Sequence, residues 1–234
     1  MPKNRIIRKF LWVISVILFQ MPSLFAQNPV LPWKTIFNGK DLEGWEMIGD
    51  KGVAAVQDGE IVVHRTKETK EHTFLATKKK YGNFILDIDF KMDDPGWSTG
   101  VLVRCVGAKA DSSKVRLYGY QIKIDDTPRN WTGGIFDDYG GTWKWICDLS
   151  KNEPARQALK KGEWNTFKIQ AVGKNVKVWL NGVPSANITN DKYKKGSIAL
   201  KIHSMGTKGN TNDKLLVHFK NIRIISNPDK KYLQ

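Results

Sequence analysis

From about Trp33 to Ile225 apolar and polar residues alternate, and sustained 3.6-residue periodicity is nearly absent, so the chain is committed to β structure. The clearest stretch is Asn83 to Lys91, where Phe84, Leu86, Ile88 and Phe90 share one face and Asp87, Asp89 and Lys91 the other. Further strands are predicted at Glu60–His64, Ser98–Cys105, Tyr118–Asp125, Gly133–Tyr139, Trp164–Val172, Asn175–Leu180, Ser197–Ser204 and Leu215–Ile225. Asn181-Gly182 predicts a type I′ hairpin turn, because both central positions of that turn need φ > 0, and Gly173-Lys174 serves the same purpose one strand earlier. In the last strand Val217 and Phe219 keep one phase while Ile222 and Ile224 keep the other, so a β-bulge near Lys220-Asn221 is expected to hold all four inward. One short helix is expected, Pro154–Lys160, with proline in its first turn. Many strands, hairpin turns and a single stray helix imply an all-β sandwich of two antiparallel sheets of jelly-roll type.

The N-terminus departs from this pattern. Lys3, Arg5, Arg8 and Lys9 precede an apolar run from Phe10 to Phe19, followed by Pro22 and the small residue Ala26. That is the layout of a secretory signal, expected to span residues 1–26. The apolar run is about half of the ~20 residues that a bilayer crossing needs. No cysteine follows the run to accept a lipid, so no membrane span or anchor is expected after cleavage and the product is expected to be periplasmic or extracellular. Residues 27–234 are the right size for one domain. Loss of the four signal cations, with no acids, lowers the formal charge from +15 to +11. The lysines are scattered over predicted turns, without a basic helix or an RNA-binding aromatic signature, which argues against nucleic acid. In an oxidising compartment Cys105 and Cys147 are permitted to pair, the alternative being two buried thiols.

Chemistry concentrates in two segments. On Tyr118–Asp125, Ile122 and Ile124 take the core side, which puts Gln121, Lys123 and Asp125 in a row on the opposite face. Just downstream, Pro128 to Trp145 sets Arg129, Asp137, Asp138 and Tyr139 among glycines and three tryptophans, Trp131, Trp143 and Trp145. Indole faces stack on the C–H faces of sugar rings, and acids, amides and guanidinium groups bond to hydroxyls, so carbohydrate is the ligand class this composition fits. At least one of the tryptophans is expected simply to close the end of the sandwich. The phase of Ser197–Ser204 places His203 with Lys201 away from the core, and the phase of Ser98–Cys105 places Arg104 opposite Val101 and Val103. His64, His72 and His218 lack zinc-ligand spacing. The acidic pairs Asp125-Asp126 and Asp137-Asp138 leave a divalent cation such as calcium open, with ordinary turns as the alternative.

Phe37-Asn38-Gly39-Lys40-Asp41-Leu42-Glu43-Gly44-Trp45 resembles the N-terminal hallmark of the 3-keto-disaccharide hydrolase domain family. The same resemblance extends over Ser98–Arg104, Gly119–Asp125, Gly133–Tyr139, Gly162–Asn165, Trp179–Gly182 and Phe219–Ile224. It implies a concanavalin-like sandwich fold and cleavage of glycosides whose sugar carries a ketone at C3. Such a ketone acidifies the C2 hydrogen, so a base can form an enolate that expels the C1 oxygen before water adds back. This route needs a base, a cation beside the enolate oxygen and an acid for the leaving group. On this resemblance Asp138 or Asp125 is the base, Arg104 or Lys123 the enolate stabiliser and His203 the acid, while Gln121, Arg129, Trp131, Asp137, Tyr139 and Trp143 orient the sugar. Many relatives carry an acid in place of Gln121 or Lys123; its absence here leaves a non-catalytic, lectin-like member as the alternative.

Overall fold

The alternating pattern folds into two stacked sheets in which every strand pair is antiparallel. The computed structural model describes residues 31–93, 97–111, 114–137, 144–204 and 215–234. Asp138, Tyr139 and Trp143, and the expected signal segment 1–26, lie outside the described residues. Leu31–Gln234 form one compact unit.

The first sheet runs in the order β13 (Val183–Thr189), β12 (Asn175–Leu180), β11 (Asn165–Val172), β6 (Phe84–Met92), β15 (Leu216–Ser226), β4 (Glu60–His64) and β3 (Val53–Gln57), with β1 (Lys34–Thr35) also beside β15. The second runs β10 (Lys144–Cys147), β9 (Ile135–Asp137), β8 (Lys114–Asp125), β7 (Ser98–Asp111), β14 (Ser197–Ile202), β5 (Thr73–Thr77) and β2 (Trp45–Gly49). Between them Phe84, Leu86, Ile88 and Phe90 meet Val101, Val103, Ile122, Ile124, Ile198 and Leu200 in one continuous core. This is a concanavalin-like jelly-roll sandwich.

Local chemistry sets the corners. Asn181 and Gly182 take φ of 51° and 83°, as the hairpin turn between β12 and β13 requires. The bulge in β15 falls between Lys220 and Arg223, with Asn221 at φ 50°, and Val217, Phe219, Ile222 and Ile224 all reach the core. The helix α1 spans Glu153–Gln157 and is capped by the Asn152 side chain, which accepts from the Ala155 amide.

A second bulge controls the second sheet. Pairing of β7 with β8 slips between Val103 and Val106, where Arg104 holds φ 55°. The bulge turns Arg104 off the outer face on which simple alternation places it. Its fully buried guanidinium instead donates to the carbonyls of Gly82 (2.9 Å), Gly173 (2.9 Å) and Tyr193 (3.2 Å), tying the second sheet to a turn of the first. Beyond the bulge, Cys105 and Leu117 pack with Leu102, Phe74, Ala76 and Ala199 in a smaller apolar cluster on the outer side. Cys105 and Cys147 are free thiols. With β8 and β9 between their strands, the backbones are ~14 Å apart, too far for a bridge.

Arg104→Met removes three charge-assisted hydrogen bonds and strands three carbonyls. We expect a loss of about 3 kcal/mol in unfolding free energy by urea titration, with fold retained at low denaturant.

Candidate functional site

The outer face of the second sheet is built by period-2 geometry on three adjacent strands. Gly100 on β7 pairs with Lys123 on β8 and with Lys201 on β14, so the two lysines flank a residue with no side chain. A Cβ at Gly100 would strike the Ile122 carbonyl and come within 2.9 Å of the Gln121 amide nitrogen. This close packing of the Ile122 carbonyl and the Gln121 side chain is what requires glycine; the middle of the row bears no side chain of its own and is packed by Gln121, and the lysines on either side of this lysine trough have Cα atoms about 10 Å apart across two strand spacings. Both are recessed, with Lys123 8% and Lys201 2% exposed. In the next row Gln121, fully buried, accepts from Lys201 Nζ (3.3 Å) and donates to the Thr99 carbonyl (3.1 Å).

On the other side of the trough Ser98 pairs with Asp125, and His203 follows directly on the end of β14, two residues past the Lys201–Gly100 pair. The Ser98 hydroxyl oxygen is buried with no hydrogen-bond partner among the described residues. His203 is held through the backbone of Ser204. Its Nδ1 donates to the Ser204 carbonyl (3.0 Å), which also accepts from Arg65 Nη1 (3.3 Å), and the Ser204 amide donates to His72 Nδ1 (3.0 Å). The two imidazoles meet edge to face, with centroids 4.5 Å apart. Arg65 itself lies over Trp97, 4.2 Å from the ring centroid. His72 is neutral, because burial, reinforced by the charges of Lys201, His203, Arg116 and Lys123, pushes its pKa far below the usual imidazole value.

An aromatic wall closes the β8–β10 end. Arg129 donates from Nε to Asp125 Oδ2 (2.8 Å), and its guanidinium stands 5.2 Å from both Trp131 and Trp145. Trp145 packs edge-on against Trp131 (4.9 Å) and Phe136 (5.3 Å), and Lys123 Nζ lies 5.6 Å from Phe136.

The structure thus brings together Gln121, Lys123, Asp125, Arg129, Trp131 and His203. It does not bring Arg104 or Asp137 to them. Asp137 shares the inward phase of its β8 neighbour Tyr120 and is held by Lys192 Nζ (2.5 Å) and the Tyr193 hydroxyl (3.0 Å). Asp125 has both oxygens engaged, Oδ1 by Thr127 (2.8 Å) and Oδ2 by Arg129, and Asp126 pairs with Lys161 (2.6 Å). These partners engage Asp125, Asp126 and Asp137 of the four carboxylates offered for a cation, Asp138 lying outside the described residues, and no cluster of three or more His, Cys, Asp or Glu suited to a metal occurs among the described residues. Sequence reasoning missed Lys201, Ser98, His72 and Arg65 as site residues. Lys201 was legible, sharing the phase of His203; Arg65 directly follows the expected strand β4, while His72 precedes a strand, β5, that alternation did not reveal.

Fold and face together define a jelly-roll domain with a recessed cationic trough and an aromatic wall. The chain belongs to the 3-keto-alpha-glucoside-1,2-lyase-like domain family, whose sequence profile matches residues 32–225. Among solved structures it is similar to two proteins of Parabacteroides distasonis described as candidate glycosyl hydrolases. One is 26% identical, covering 83% of this chain and 98% of that one with a TM-score of 0.54; the other is 22% identical, covering 84% and 94% with a TM-score of 0.58. A carbohydrate binding module from Bacillus subtilis shares the fold at 13% identity, covering 78% and 96% with a TM-score of 0.55. No curated protein matches the chain.

The neutral state of His72 has a stability consequence. In the unfolded chain the group protonates near 6.5, whereas in the fold it resists, so the unfolded state binds more protons at low pH. Its contribution is constant above about pH 6.5 and falls by about 1.4 kcal/mol per unit below it. Urea titrations at pH 7, 6 and 5 should show this slope, and His72→Gln should remove it.

Proposed function

We propose that the protein is an exported carbohydrate-active enzyme that cleaves 3-keto-glycosides by elimination and hydration. The observation that carries this reading is the pair of recessed lysines across Gly100 with His203 beside them: two fixed cations in a low-dielectric recess suit an enolate oxygen better than a neutral sugar hydroxyl. Family membership and the 26% identical candidate glycosyl hydrolase support the substrate class.

In this mechanism Lys123 and Lys201 stabilise the enolate. Proton transfer by His203 runs through Nε2, since Nδ1 is committed to the Ser204 carbonyl, and delivers a proton to the departing C1 oxygen. Asp138 remains the carboxylate proposed to take the C2 proton, because Asp125 is tied to Thr127 and Arg129 and serves to orient the guanidinium. The Arg129, Trp131 and Trp145 wall receives the sugar face. Export rests on the charged, apolar and small-residue order of segment 1–26.

A second reading, carbohydrate binding without catalysis, is favoured by the absence of an acid at both Gln121 and Lys123, one of which the family resemblance leads us to expect as acidic. Incubation with a 3-keto-glycoside and with its unoxidised parent separates the two. We expect sugar release from the keto compound alone, reduced at least about 100-fold in kcat by Lys201→Met and by His203→Gln with affinity largely kept. Binding of either compound without release would leave only the second reading, and unchanged rates in both variants would overturn the assigned roles.

A further inference from the structure

The opposite side of the sandwich carries a feature that this chemistry does not use. On the outer face of the first sheet the strand registers align one residue from each of five strands: Trp179 on β12, Lys168 on β11, Asp87 on β6, Arg223 on β15 and Thr35 on β1. Four strand spacings make this row ~19 Å long. It underlies two adjoining grooves of about 620 and 240 Å³, which share Asp87 and Thr166.

The row contains an unfinished hydrogen-bond network. Asp87 is only 9% exposed, and its Oδ2 accepts from Arg223 (2.9 Å), but its Oδ1 is buried with no partner among the described residues. A buried carboxylate oxygen calls for a donor. Both oxygens of the neighbouring Asp89 have a partner, Thr166 Oγ1 at 2.6 Å and Asn221 Nδ2 at 2.7 Å. A metal ion is a poor candidate for the missing donor, because Arg223 and Lys168 flank Asp87 on both sides and would repel a cation. An anion would meet Asp87 itself. A neutral hydroxyl answers the need, and the grooves are bordered by flat apolar surface as well. Trp179 stands at one end, and at the other Trp33 stacks on Arg223, 4.7 Å from its guanidinium carbon. Hydroxyl donors on rings that present C–H faces describe a saccharide, and the length of the row suits several linked units.

We infer that the outer face of the first sheet is a second carbohydrate-binding groove, for a short neutral oligosaccharide, centred on Asp87 and ending on Trp179. It lies on the opposite sheet from the lysine trough and does not depend on the activity proposed there. Such a groove would hold the protein on a polymer while the other face acts on a chain end.

The test is titration of the ¹⁵N-labelled protein with maltotetraose, cellotetraose and xylotetraose, following indole N–H resonances. At least one of the three should shift the signals of Trp179 and Trp33, the former assigned by its loss in Trp179→Ala. Both Trp179→Ala and Asp87→Asn should weaken that binding about tenfold or more, whereas Lys123→Met should leave it unchanged. Shifts confined to Trp131 and Trp145 would place the sugar in the lysine trough and overturn the second groove. Absence of any shift, or affinity in both groove variants unchanged from that of the unsubstituted protein, would overturn it as well. Loss of sugar release in Lys201→Met with the Trp179 signal still responding would show that the two sites stand independently.

Discussion

The site depends on one guanidinium buried where a strand changes phase. Arg104 holds a left-handed backbone at the β7 bulge and bonds carbonyls from both halves of the sandwich. Beyond it the hairpin carries Cys105 and Leu117 onto the outer side of its own sheet, where they pack on Leu102, Phe74 and Ala199. That cluster forms an apolar shoulder beside the trough. Without it Lys123 and Lys201 would stand on an open sheet face, solvated and of little electrostatic use.

The trough shows how a sheet can concentrate cations that repel one another. Lys201 is anchored by Gln121, and Gln121 in turn by the Thr99 carbonyl, so its ammonium is held by hydrogen bonds in place of hydration. Close by, Arg116 is neutralised by Glu71 and Arg129 by Asp125. His72 meets the remaining field by staying uncharged, which suits it to accept the Ser204 amide and so to fix the segment that bears His203.

Much of this was legible in the amino-acid order where a period of two runs undisturbed. The strand at Asn83 to Lys91, the Asn181-Gly182 turn and the bulge at Lys220-Asn221 all follow from local pattern and are found as read. The row Gln121, Lys123 and Asp125 came from the same logic. Arg104 was misplaced because the bulge reverses phase with no proline or glycine at that point of its own strand; the glycines that make room for it, Gly119 and Gly196, belong to neighbouring segments. The strands β1, β2, β3, β5 and β10 escaped notice because each has five residues or fewer, and in Thr73–Thr77 all five are covered and alternation vanishes; in β13 a register shift leaves Ser185 and Ala186 both buried, which breaks the period. The contacts of Arg65 and His72 link residues more than a hundred positions apart, to Ser204, and no local signal can announce them.

The stretch that most readily betrays the family, Phe37 to Trp45, turns out to be a clasp. Asn38 gathers the amides of Lys40 and Asp41 onto its side-chain oxygen, Asp41 takes up that of Glu43, and the Trp45 indole reaches back to the Ile36 carbonyl while Phe37 and Trp45 sink into the interior. Its glycines at positions 39 and 44 adopt φ of 76° and 81°, conformations that bulkier residues resist. The most recognisable phrase in the sequence is therefore an instruction for closing the scaffold. A descendant that lost its catalytic groups and kept only a taste for sugar would still spell it out unchanged.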